Sequence, residues 1–159
     1  MIDFDVTFRE DKIYEVATRV ADVFQRVPAF TLWLTGPLGA GKTTMVRAIL
    51  HEMGLGRAEA VVSPTFSYVN EYLIQNRAFA HLDLYRAPEN LWGDEFLDVG
   101  ANYRGIFIEW PERLAKNSSL EPTHFAFLNF VEGGSDHARS FKFSVASSPS
   151  ARSFDPSTS

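Results

Sequence analysis

Phe30-Thr31-Leu32-Trp33-Leu34-Thr35, followed at once by Gly36-Pro37-Leu38-Gly39-Ala40-Gly41-Lys42-Thr43, is the stretch that decides the fold. Its first half is apolar and β-rich and stops at a glycine, so it reads as a buried strand. Its second half matches Gly-x-x-x-x-Gly-Lys-Thr, a loop pattern that cradles phosphate. Residues 42–53 then place Met45, Ala48 and Ile49 on one helical face, and Gly54 suits a helix end that needs left-handed backbone. Strand, glycine loop and helix in this order predict an α/β domain with an anion held at the helix N-terminus.

Each residue type in the loop has a chemical reason. Gly36, Gly39 and Gly41 allow backbone angles that a Cβ resists, so successive N–H groups can face one anion. Leu38 and Ala40 fill the variable positions, and Pro37 is compatible because the second position need not donate. Lys42 supplies a full positive charge for the β- and γ-phosphates. Thr43 offers a small hydroxyl suited to Mg²⁺, and Thr44, one residue further in, is within reach of a phosphate. The loop alone therefore predicts ATP and Mg²⁺.

Outward from the loop, residues 10–25 read as a helix with Ile13, Val16, Ala17, Val20 and Phe24 on one face. Ser67–Leu73 and Phe79–Leu84 look extended and are joined by the turn-like Gln75-Asn76-Arg77, a hairpin pattern. Residues 87–98 suggest a short helix. Gly105-Ile106-Phe107-Ile108-Glu109-Trp110 is an apolar run of buried-strand type, stopped by Pro111. Phe125–Val131 and Ser140–Val145 form a late strand pair. Residues 1–146 read as one domain, and residues 147–159, rich in Ser and Pro, as a disordered tail.

Composition narrows the classes. The chain has 159 residues, 45% hydrophobic and 22% charged, which is ordinary globular usage for one domain. It has no cysteine, which excludes disulfides, thiolate zinc sites and cysteine nucleophiles. A net charge of −5 with no run of Lys or Arg argues against direct phosphate-driven binding of nucleic acid. Met1-Ile2-Asp3-Phe4-Asp5 lacks the basic start and apolar core of a signal peptide, and no apolar run is long enough to span a bilayer. A cytoplasmic protein with no membrane partner is the expectation.

An ATP-hydrolysing site also needs a carboxylate near the metal at a neighbouring strand end. Glu109, which ends Ile106-Phe107-Ile108, is the leading candidate for metal and catalysis. Asp83, in His81-Leu82-Asp83-Leu84-Tyr85-Arg86, could position the attacking water or help hold the metal. Ser63-Pro64-Thr65-Phe66 could sense the nucleotide, and Trp110 could cover the site. Trp33 reads as core, and His81 as a satisfied structural histidine.

Gly-Pro-Leu-Gly-Ala-Gly-Lys-Thr-Thr (36–44), Ser-Pro-Thr-Phe (63–66), His-Leu-Asp-Leu-Tyr-Arg (81–86), Gly-Asp-Glu (93–95) and Ile-Glu-Trp-Pro-Glu (108–112) occur in this order. The set resembles the bacterial TsaE family, formerly YjeE, over roughly residues 8–145. The resemblance implies a P-loop NTPase α/β fold whose mixed, mainly parallel central sheet is flanked by helices. It implies a Mg²⁺-dependent ATPase required for threonylcarbamoyladenosine modification beside the tRNA anticodon. It also implies docking on a heterodimer of TsaB- and TsaD-type proteins, with tRNA reached only through those partners. By motif, Lys42, Thr43 and Thr44 would bind phosphate and Mg²⁺, Glu109 would be the metal-associated acid, Asp83 the functional aspartate, and Trp110 the tryptophan beside the site. Residues near Glu10 and Asp11 would line the adenine pocket. Two other readings compete. A free-standing small-molecule kinase would use an Arg-bearing helical lid, but residues 61–84 read as extended. A nucleotide switch without turnover would have less use for Thr43, Asp83 and Glu109 together.

Overall fold

The computed structural model describes residues 3–64, 67–98 and 101–146. The proposed tail at 147–159, and Thr65 and Phe66 of the Ser-Pro-Thr-Phe motif, lie outside the described residues. The elements run β1 (Phe4–Arg9), α1 (Ile13–Gln25), β2 (Phe30–Thr35), α2 (Lys42–Glu52), β3 (Val69–Ile74), β4 (Arg77–Asp83), β5 (Tyr103–Glu109), β6 (His124–Phe130) and β7 (Ala138–Val145).

All seven strands form one sheet, in the order β1-β7-β6-β2-β5-β4-β3. The centre is parallel: β5 and β6 flank β2, and β4 pairs with β5. The margins are antiparallel: β1 with β7, β7 with β6, and β3 with β4. Three pairings of each kind correct the expectation of a mainly parallel sheet. The physical reason lies in the connections. Gln75 and Asn76 both take positive φ, 51° and 61°, so β3 and β4 close as a tight hairpin. Residues 131–137 are too few for the crossover that a parallel β6–β7 pair would need.

The strand β1 was not anticipated. Its Phe4-Asp5-Val6-Thr7-Phe8-Arg9 alternates in the strand manner, with Val6 and Phe8 packing on the core and the intervening residues turned outward.

The expected flanking by helices holds on one face only. Helices α1 and α2 cover the face carrying Phe30, Leu32, Leu34, Phe79, Phe107, Phe141 and Phe143. Phe24 is fully buried there, with Phe30 stacked on it at a ring-centroid distance of 3.6 Å. The opposite face, with Ala80, Leu82, Ile108 and the half-buried Trp33, is covered by loop segments bearing Leu84, Ala87, Leu91, Leu114 and Leu120. The Trp33 indole donates to the Leu120 carbonyl at 3.0 Å, so this tryptophan ties the cover to the sheet. The helix expected at 87–98 shrinks to one 3₁₀ turn, Asp94–Phe96. Pro88 and the positive φ of Asn90 (63°) and Gly93 (86°) break a helix, and Leu91 instead bridges to Leu114 as extended chain. Glycine suits position 93 because its φ of 86° is one that a side chain resists, and a Cβ there would also press on the Leu120 side chain at 2.5 Å. No helix among the described residues is long and apolar enough to cross a membrane.

Candidate functional site

Three parallel strands deliver the site. β2, β5 and β4 end side by side, with Leu34 opposite Glu109 and Glu109 opposite Asp83 in register. In open α/β sheets the crevice beyond the carboxyl ends of the strands is where ligands sit. From β2 the chain turns into the glycine loop and enters α2 at Lys42, so loop and acids meet at one edge.

Gly36 turns out of β2 at φ 154°, and a Cβ there would lie 2.1 Å from the Leu128 carbonyl oxygen of β6. That neighbour is backbone and cannot step aside. Gly36→Ala is therefore expected to lower the melting temperature by roughly 3–10 °C, from an overpacking cost of about 1–3 kcal/mol in a chain this size. Thermal unfolding followed by circular dichroism checks this. Gly39 and Gly41 take φ 80° and 102°, angles that a side chain resists.

The Lys42 side chain curls back across the loop. Its Nζ donates to the Gly36 carbonyl at 2.7 Å and the Pro37 carbonyl at 2.9 Å, and lies 4.4 Å from the centre of the Trp110 ring. Burial pulls the Lys42 ammonium below its ordinary range, opposed by the charges of Glu109, Glu112 and Asp83. Trp110 sits at φ 60° and also packs on Tyr85, ring centroids 4.8 Å apart.

The Thr43 hydroxyl donates to the Glu109 carboxylate, 2.8 Å to Oε1 and 3.0 Å to Oε2, and lies 2.8 Å from the Ser63 hydroxyl. Glu109 is 1% exposed, so its charge is well shielded from water. Burial works to raise its carboxyl, but the His81 imidazole, the Thr43 hydroxyl and Asp83 outweigh burial and leave it below the usual carboxylate range. Asp83 moves the other way, raised by burial first and by the Glu109 charge second. Its Oδ1 accepts the Tyr85 N–H at 3.1 Å.

His81 departs from the expectation of a satisfied structural histidine. It is fully buried, its Nε2 lies 3.6 Å from Glu109 Oε2, and neither ring nitrogen has a hydrogen-bond partner among the described residues. It packs behind the acid rather than away from it.

One hollow of about 310 Å³ collects Leu38, Gly39, Gly41, Lys42, Thr43, Thr44, Ser63, Asp83, Glu109 and Trp110. Gly36 and Ala40 stand behind it: Gly36 through the carbonyl that holds Lys42, Ala40 buried beneath the loop. A second hollow of about 160 Å³ opens past Gly41 and Thr44 toward Phe8, Glu10, Ile13, Leu128 and Arg139. Sequence reasoning reached Glu10 but missed Leu128 and Arg139. The signal for Arg139 was period two: it lies in phase with the buried Phe141 and Phe143 of β7, and is itself only 6% exposed.

The model of the threonylcarbamoyl adenosine biosynthesis protein family, TsaE, matches residues 7–139. The tRNA threonylcarbamoyladenosine biosynthesis protein TsaE of Aquifex aeolicus is 36% identical over 104 residues, covering 65% of this chain and 73% of that protein. Its counterpart in Synechocystis is 41% identical over 100 residues, covering 57% of this chain and 60% of that protein. Among solved structures, Bacillus subtilus YdiB superposes with a TM-score of 0.61 at 21% identity, over 90% of this chain and 85% of that one, a likeness of fold. The matched span holds the glycine loop, both strand-end acids and Trp110, and the chain belongs to the TsaE family.

Proposed function

We propose that this chain binds ATP with Mg²⁺ at the 36–43 loop of a P-loop NTPase fold and hydrolyses it. The hydrolysis supports threonylcarbamoyladenosine formation on tRNA, carried out with TsaB- and TsaD-type partners in the cytoplasm. The observation that carries the ATP reading is the convergence of Lys42, Thr43, Asp83 and Glu109 on one hollow at the ends of three parallel strands. The tRNA role rests on the names that the relatives carry.

The residues fit the group they would hold. The metal-facing donors are a hydroxyl and carboxylates, hard oxygen ligands that suit Mg²⁺, which usually takes only one or two carboxylates alongside substrate phosphates. Mg²⁺, when bound, neutralises charge developing on the phosphate oxygens. Thr43 would ligate the metal, and Glu109 would hold it directly or through water. Lys42 would exchange the Gly36 and Pro37 carbonyls for β- and γ-phosphate oxygens. Gly36, Leu38, Gly39, Ala40, Gly41 and Thr44 shape the cradle, and Trp110 shields it from water. Asp83 would orient the attacking water from the strand end beside Glu109. The hollow beside Glu10 would take the adenine.

Steady-state phosphate release tests the coupled reading. Slow turnover is expected from the isolated chain, with a marked change on adding the TsaB- and TsaD-type partners; equal turnover with and without them would sink the coupling.

A further inference from the structure

Arg139 lines the hollow proposed for adenine, and its buried guanidinium also reaches the phosphate loop. Its Nε donates to the Ala40 carbonyl at 3.2 Å. One terminal nitrogen donates to the carbonyls of Asp136 (2.6 Å) and Ala138 (2.9 Å), and the other to Glu10 Oε1 at 2.6 Å. The guanidinium lies 4.6 Å from the centre of the Phe130 ring. Each bond has its own geometric role, and a planar fork fixed at so many points has little freedom left.

We infer that Arg139 is a positioning residue for the phosphate loop, fixing the Ala40–Gly41 peptide so that the Gly41 N–H faces the cradle. The inference rests on the nucleotide reading proposed above. A trans peptide is planar, so its C=O and N–H point in opposite directions, and no peptide among the described residues is cis. Holding the Ala40 oxygen toward β7 turns the Gly41 N–H away from β7. A flip of this peptide changes chiefly ψ of Ala40 and φ of Gly41, and glycine takes either sign of φ at little cost. The loop's own backbone thus gives weak protection against the flip. Arg139 supplies the restraint from behind, steadied by Glu10 and Phe130.

The test uses two substitutions of similar length. Arg139→Gln keeps an N–H donor at the position of Nε, whereas Arg139→Met has none. Both lose the Glu10 ion pair and the Asp136 and Ala138 contacts, so they share any general loss of stability. In calorimetry with ADP and Mg²⁺, Arg139→Met is expected to bind at least about tenfold more weakly than Arg139→Gln, the scale of one lost hydrogen bond of this kind. Their ligand-free melting temperatures should differ by no more than the share of that one bond, about 3–6 °C. Equal affinities in the two variants, with ADP still bound by the wild type, overturn the inference alone. A wild type that binds no ADP overturns the nucleotide reading and this inference with it. Should neither variant fold, labelled wild-type protein decides by NMR. On ADP addition the Ala40 carbonyl resonance should hold its position while the Gly41 amide shifts; a displaced Ala40 carbonyl shows a peptide that was not preset.

Discussion

Lys42→Ala is expected to weaken ADP binding roughly 30- to 700-fold, a loss of about 2–4 kcal/mol at 1.4 kcal/mol per tenfold. The magnitude follows from what the ammonium does before and after binding. In the structure it is held by two backbone carbonyls, so it is already desolvated and aimed across the loop. Exchanging neutral carbonyl oxygens for anionic phosphate oxygens gains a full charge interaction in a half-buried site, without paying the desolvation again. Removing the ammonium leaves Gly36 and Pro37 carbonyls at an open hollow where water can reach them, so stability should fall little. Titration calorimetry, with a melting curve beside it, separates the two effects. An unchanged affinity would place the nucleotide elsewhere.

Glu109→Gln should do the reverse. Turnover is expected to fall about 10²- to 10³-fold, within the range for losing a group that acts on the reacting centre. Affinity for ADP without Mg²⁺ should stay within about threefold, because the carboxylate meets the loop at the Thr43 hydroxyl, a bond that the amide oxygen keeps. The amide keeps the shape and still accepts from the Thr43 hydroxyl, so the variant isolates the charge. Asp83 carries a built-in reporter of the same charge: its carboxyl is raised partly by Glu109, and that part disappears in Glu109→Gln. Single-turnover and steady-state phosphate release, measured together, show whether the loss lies in the chemical step.

The parts of this site that were legible in the sequence are those whose chemistry is local. Gly36, Gly39, Gly41, Lys42 and Thr43 sit in one eight-residue pattern, and the strand and helix around them follow from adjacent apolar spacing. Glu109 and Asp83 were legible as polar ends of apolar strands, and parallel pairing with a shared register brings them together. What escaped depends on distant partners. His81 looked ordinary because its relation to Glu109 is made across two strands. Arg139 stood one residue before the late strand read at Ser140–Val145 and drew no reading, because its target, the Ala40 carbonyl, is 99 residues away. The segment 87–98 suggested a helix by composition, yet tertiary contact of Leu91 and Gly93 with Leu114 and Leu120 made it a cover for the second face of the sheet. Two of the three antiparallel pairings were legible, as the hairpin pattern at 67–84 and the late strand pair; β1 beside β7 was hidden, because the apolar alternation of a strand does not say which neighbour it will take.

The claim at the centre is that nucleotide turnover at the Lys42–Glu109 site drives tRNA modification by partner proteins. Nucleoside mass spectrometry on tRNA, from a reconstituted reaction containing TsaB- and TsaD-type partners, measures it most directly. Wild-type protein should give sustained threonylcarbamoyladenosine formation, and Lys42→Ala and Glu109→Gln should leave it near the level without this chain. Full modification with both variants, each shown to be folded, would contradict the account.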